Sequence, residues 1–264
     1  MTQFNFRYSL NRWLSNPLGL GGYAPLLCVA AFLIVGPAVA AKAGSTLPNS
    51  VRTTYKIYRG GVLLGNVEER FERDGDRYKI TSATRTEGPI SLLIREEISV
   101  TSEDRIAASR LVPSIFSTSR KSDSSKSFTA YFNWEKSELV REHDRPDFGG
   151  GVEREVFALP TGTQDRLSAM YQFMVATPSG PTVSALMTQG KHTERYRYAK
   201  QGEPSIATQA GQFATVYYVR EAAPGESKAE LWLAKEHNYI PVRVVFKDPK
   251  GSSFEQRLVE LVIR

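Results

Sequence analysis

Histidine, serine and paired carboxylates are the side chains in this sequence that could carry chemistry. The chain holds three histidines, His143, His192 and His237, each in a charged or turn-like setting such as Glu142-His143-Asp144 and Glu236-His237-Asn238. No H-x-H or H-x-x-x-H spacing occurs, so a zinc site would need ligands gathered from distant strands. Neither G-x-S-x-G nor S-x-x-K is present, which removes two nucleophile signatures. A Ser-His-Asp arrangement is defined by geometry rather than by order, so a dispersed site stays open. Its first members would be Asp165, His143 and His237. Carboxylate pairs such as Glu68-Glu69 and Glu96-Glu97 are adjacent in strand-like segments, so the two members of each point apart. No phosphate-cradling loop is found either: Gly60-Gly61-x-x-x-Gly65 sits in a hairpin and opens no helix. No catalytic residue, metal site or cofactor is implied.

The elements that must position any site are mostly strands. Tyr78, Ile80 and Ser82 alternate with polar neighbours, as do Phe128, Ala130, Phe132 and Trp134, and Tyr196 and Tyr198. Val62–Phe71, Phe213–Val219, Leu231–Leu233, Val242–Phe246 and Phe254–Ile263 complete the series, with Gly, Asp, Asn and Pro between them. Period-two alternation with this punctuation predicts an antiparallel, meander-rich sheet. One segment has a different period. Leu167, Met170, Tyr171 and Met174 fall at i, i+3, i+4 and i+7, one face of an amphipathic helix over 161–175. Thr161 and Gln164 fit a capping box, and Asp165 suits the first turn. A second, shorter helix is expected around Ile90–Arg95. The serine-rich hairpin Ser117–Ser127 reads as a solvated turn, and Gly149-Gly150-Gly151 as a turn between strands. A single solid helix cannot cover both faces of such a sheet. The expected architecture is mainly β: a curved antiparallel sheet or half-barrel with the helix packed on its concave face.

The N-terminus carries an address. Arg7 and Arg12 precede an uncharged apolar run over 24–35, followed by Gly36-Pro37 and Ala38-Val39-Ala40-Ala41. That order predicts an export signal over 1–40, cut near Ala40, and delivery to a bacterial periplasm. An uncleaved anchor is the rival reading, and it would be the protein's sole membrane contact. Residues 41–50 read as a disordered linker and 51–264 as a single β-rich domain. Loss of the signal lowers the net charge from +6 to +4 and removes Cys28, the only cysteine. The remaining charge is interspersed, so no nucleic-acid partner is expected. No disulfide or thiolate chemistry is available after the cut.

Three features together resemble a known family. They are Tyr55-x-Ile57-Tyr58-x-Gly60-Gly61-x-x-x-Gly65, the helix Asp165-x-Leu167-x-x-x-Tyr171, and Leu231-Trp232-Leu233-Ala234 leading to Ile240-Pro241-Val242-Arg243. The pattern resembles the exported bacterial proteins of domain-of-unknown-function family 3108, from about Thr53 to the C-terminus. That resemblance implies a fold and an exported location but no activity. In architecture the chain also looks like the periplasmic lipoprotein carriers, half-barrels whose helices plug an apolar cavity. The expectation is a non-catalytic envelope protein that binds a lipid, an acyl chain or a partner protein. Its groove would comprise Trp134, Leu167, Met170, Tyr171, Met174, Trp232 and Arg243. The alternatives are a hydrolase of envelope glycans or esters, and a scaffold or sensor without a small-molecule ligand.

Overall fold

Alternation along the sequence becomes alternation across a sheet. A computed structural model describes residues 47–92, 95–144 and 151–264. The expected export signal, Cys28, Gly149 and Gly150 lie outside those residues. The first half of the described chain is a meander of β1 (Ser50–Arg59), β2 (Val62–Asp74), β3 (Arg77–Thr86) and β4 (Glu97–Ala107). It continues through β5 (Arg110–Arg120), β6 (Phe128–Asn133), β7 (Glu138–Asp144) and β8 (Val152–Ala158). A short β9 (Thr163–Asp165) leads into helix α1 (Arg166–Val175). Then come β10 (Thr182–Thr188), β11 (Thr193–Gly202), β12 (Ser205–Thr208) and β13 (Gly211–Arg220). The last strands are β14 (Lys228–Ala234), β15 (Pro241–Lys247) and β16 (Ser253–Ile263). In β3, Tyr78, Ile80 and Ser82 are buried while Arg77 and Lys79 are exposed.

The strand order is β8 through β1 in descending sequence, then β16, β15, β14, β13, β11, β10 and β9, with β12 paired to β13 alone. Every pair is antiparallel except β9–β10. Strands β8 and β9 are edges, so the sheet is open rather than a closed barrel. β1 and β16 join the two halves, and the ends of the described chain meet there. The amides of Asn49 and Ser50 donate to the Arg264 carbonyl at 2.9 and 3.0 Å, and Leu47 packs on the core. Of the segment expected as a linker, Leu47 to Ser50 are thus tied down. Among the described residues no helix is long and apolar enough to cross a membrane.

Curvature follows from what the strands share. Ile98 of β4 and Leu231 of β14 line one cavity, although six strand spacings separate their strands in the sheet order. At roughly 4.8 Å per spacing a flat sheet would hold them about 29 Å apart. The sheet therefore curls around that cavity, and α1 lies on the curled face. The main buried cluster (Tyr55, Phe71, Ile80, Ile98, Phe116, Tyr171) sits beneath the helix. Ala169 on α1 joins a second cluster with Tyr196, Tyr218, Leu231 and Leu233.

Two helical expectations need correction. α1 begins at Arg166, not Thr161, and its cap is Asp165, whose carboxylate accepts from the amides of Leu167 and Ser168. Thr163–Asp165 instead pairs in parallel with Leu186–Thr188. Gln164 donates to the Leu111 carbonyl and the Gln172 Oε1 at 3.2 and 2.8 Å rather than closing a capping box. The expected helix near Ile90–Arg95 is a 3-10 turn over Gly88–Leu92.

The glycines of the early motif have a steric origin. Gly60 and Gly61, at φ +55° and +82°, form the two-residue turn between β1 and β2, where a positive φ at both positions suits the strand twist. A Cβ at Gly65 would strike the carbonyl oxygen of Arg85 on β3, beside the register shift of the β1–β2 pair. Gly65→Ala is expected to cost about 1–3 kcal/mol through this overpacking, measurable as a lowered urea midpoint at unchanged m value.

Candidate functional site

The helix supplies one wall of the cavity and the sheet supplies the rest. Its volume is about 110 Å³, ample for several waters by the ~10–15 Å³ that one needs. Val67, Ile98, Leu167, Met170, Leu231 and Phe246 make most of the wall apolar. At one end stand Tyr55, Glu69, Ser82, Arg166 and Tyr171. Glu69 and Ser82 are direct cross-strand partners, while Arg166 and Tyr171 come from the first and second turns of α1.

Hydrogen bonds order the polar end. Tyr171 Oη donates to Glu69 Oε2 at 3.2 Å, and Ser82 Oγ donates to Glu69 Oε1 at 3.3 Å. Tyr55 Oη donates to the Pro241 carbonyl at 2.9 Å, and the Tyr171 ring stacks on Phe71 at 5.8 Å and 11°. Burial raises the Glu69 pKa, with the nearby Arg166 charge and the two hydroxyl donors opposing it. Burial also lowers the Arg166 pKa, opposed by Glu69 and Asp165, and lifts Tyr171 well above the phenol range.

The Glu69 shift has a stability consequence. A carboxyl whose folded pKa is raised holds its proton in the native state after the unfolded chain has lost it. Its stabilising contribution is complete below the unfolded value, 4.5, and is lost as pH rises through the folded value. Glu69→Gln keeps an acceptor for Tyr171 and removes the buried charge. The variant is expected to melt higher than the parent at neutral pH, with the gap closing as pH falls towards 4.5. Melting curves across that window provide the check.

The seven residues expected to form a groove divide. Leu167, Met170 and Tyr171 line the cavity, whereas Met174 is buried in the core beside it. Trp134 follows β6, leans on Phe132 and donates from Nε1 to the Pro113 carbonyl at 2.8 Å, away from the lining. Trp232 and Arg243 occupy the opposite sheet face from Leu231 and Val244, as strand alternation requires. There Trp232 is held between the Tyr217 ring, stacked at 4.4 Å, and the Arg243 guanidinium at 4.5 Å. Arg243 pairs with Glu255 at 2.6 Å rather than with Glu230 or Glu236. Glu230 is occupied by Tyr217 and Lys247, each at 2.8 Å.

The three candidates for a dispersed catalytic site are not brought together. Asp165 is buried at the start of α1, His143 lies on β7, and His237 is in the turn between β14 and β15. His143 Nδ1 is 2.8 Å from Arg141 Nη1, and its Nε2 is 3.3 Å from Glu153. His237 meets the Phe213 ring edge-on at 5.1 Å.

Glu69, Arg166, Ser82 and Tyr55 were not expected at the site. The signal for Glu69 was present: it falls on the same strand face as Val67 and Phe71, a carboxylate in an otherwise apolar row. Nothing local marks Arg166, which reads as a polar residue at a helix start.

A family model described as a protein of unknown function (DUF3108) matches residues 54–259. No curated protein matches the chain. Among solved structures, a Bacteroides fragilis protein described as exported, with a YmcC-like fold, is 12% identical at a TM-score of 0.35, over 81% of this chain and 96% of that one. A Parabacteroides distasonis protein described as a lipoprotein is 12% identical at 0.34, over 81% and 95%.

Proposed function

The chain belongs to the DUF3108 family of proteins of unknown function, and from that premise we propose that it is an exported, non-catalytic envelope protein binding an apolar ligand. The observation that carries this reading is the largely apolar cavity roofed by α1. Its volume is of the same order as the ~150 Å³ apolar cavity that admits benzene. A short hydrocarbon segment fits without rearrangement, and a long acyl chain requires α1 to shift. Met170, partly buried at the lining, suits that use because an unbranched thioether adapts its shape. Export rests on Arg7, Arg12, the apolar run and Ala38-Val39-Ala40, and the periplasmic product should begin after Ala40.

Native mass spectrometry of protein purified from periplasm without detergent is the test. A mass excess matching a lipid or acyl chain is expected. Met170→Glu places a carboxylate in the apolar wall, where an unpaired charge is costly, so the folded variant should carry none of that mass. A folded M170E protein with ligand retained counts against the cavity.

A second reading has its own observation. β8 is an edge strand, and its Val152 and Val156 are 64% and 56% exposed. An open edge of this kind accepts a strand from a partner protein. That scaffold reading requires a bare mass together with a partner crosslinked through β8.

A further inference from the structure

We propose that the ligand is an anionic amphiphile whose acidic head, a carboxylate or a phosphate monoester, is held by the Arg166 guanidinium while its tail runs along the apolar wall. The inference rests on the cavity reading above. Arg166 lines the cavity and forms no hydrogen bond or ion pair with any described residue. Its nearest charges, Glu69 and Asp165, act on it only through space. Their acceptor oxygens are already engaged. Glu69 takes the hydroxyls of Ser82 and Tyr171, and Asp165 takes four donors from Ser102, Leu167 and Ser168.

A guanidinium with no hydrogen-bond partner in a mainly apolar cavity bears a desolvation cost that the through-space charges of Glu69 and Asp165 offset only in part. Its planar fork of donors matches the two oxygens of a carboxylate or phosphate. The helix end itself is not the anion site, since its first free amides are satisfied by Asp165. Burial opposes the charged forms of Glu69, Asp165 and Arg166 alike, and an incoming anion supplies the hydrogen-bonded partner that the Arg166 fork lacks. Arg120, also acting on Arg166 at a distance, adds to the positive field.

Isothermal titration of the exported protein with octanoate, monooctyl phosphate and 1-octanol tests this. The wild type is expected to bind at least one acid about tenfold or more tighter than the alcohol, the scale of one charge-assisted hydrogen bond. Arg166→Gln should bind the alcohol as the wild type does and lose the preference for the acid, and Arg166→Lys should recover part of it. Preference for octanoate indicates a fatty acid, and preference for the phosphate indicates a phospholipid-type head. Equal binding of acid and alcohol by the wild type overturns the head-group assignment and leaves the cavity reading standing. Absence of binding by all three overturns the cavity reading and this inference with it. The wild-type comparison decides the question even if the R166Q protein does not fold.

Discussion

Asp165→Ala is expected to lower the unfolding free energy by about 3–5 kcal/mol, one of the largest single-residue effects in this chain. Removal of a helix N-cap alone costs about 0.5–2 kcal/mol. Here the cap is fully buried and does more than hold the helix. Its Oδ1 accepts from the amides of Leu167 and Ser168 at 2.8 and 3.0 Å, and its Oδ2 from the hydroxyls of Ser168 and Ser102 at 2.8 and 2.6 Å. Each buried donor left unsatisfied adds about 1–3 kcal/mol. Ser102 has an alternative partner in Tyr78 at 3.3 Å, which keeps the total below a simple sum. For a domain of this size the loss corresponds to a fall in Tm of roughly 6–20 °C. Asp165→Asn retains an acceptor for the amides and should lose less than half as much. Urea denaturation of both variants provides the measurement, and an alanine variant within about 1 kcal/mol of the parent would remove the buried-cap argument.

Arg120→Met is the second large effect, expected at about 3–5 kcal/mol. Arg120 and Glu96 form an ion pair at 3.2 Å, with side chains only 1% and 2% exposed. Glu96 also accepts from Ser122 Oγ at 2.7 Å, and its amide donates to Thr86 Oγ1 at 3.0 Å. The pair thus fastens the end of β5 to the connection between β3 and β4. Burial lowers the Arg120 pKa, and the charges of Glu96 and Asp123 oppose that shift. Truncating one partner leaves the other charge buried with reduced compensation, and that penalty dominates the loss. Arg120→Met combined with Glu96→Leu should recover most of the stability, because an apolar pair has no desolvation to offset. A double-mutant cycle reads this directly. If the double variant is as unstable as the sum of the singles, packing rather than charge sets the cost.

Much of the local architecture was legible in the chain. The turn at Gly60-Gly61, the strand faces and the helical stripe of Leu167, Met170, Tyr171 and Met174 are short-range properties. They depend on backbone sterics and on the periods of 2 and 3.6. Even the opposite placement of Leu231 and Trp232 follows from adjacency in a strand. The helix starts later than its local capping signal for a physical reason. Thr161 and Gln164 are a local capping signal, but a buried Asp165 gains the Ser102 hydroxyl, a partner 63 residues away that no local pattern encodes.

The groove shows the same division. Trp134 and Trp232 are large aromatics and were natural candidates for a ligand wall. Alternation assigns each to a face, yet it does not say which face closes around a cavity. Tertiary structure decided that when the sheet curled and set β4 and β14 around the helix. The same curl placed Glu69 of β2 within electrostatic reach of Arg166 on α1. The sequence by itself determined a mainly β chain and one amphipathic helix, because these are written in composition and short-range periodicity. The cavity, its charged end and the separation of Asp165, His143 and His237 depend on sheet curvature and strand order. Those arise from packing between residues distant in sequence, which no single segment encodes.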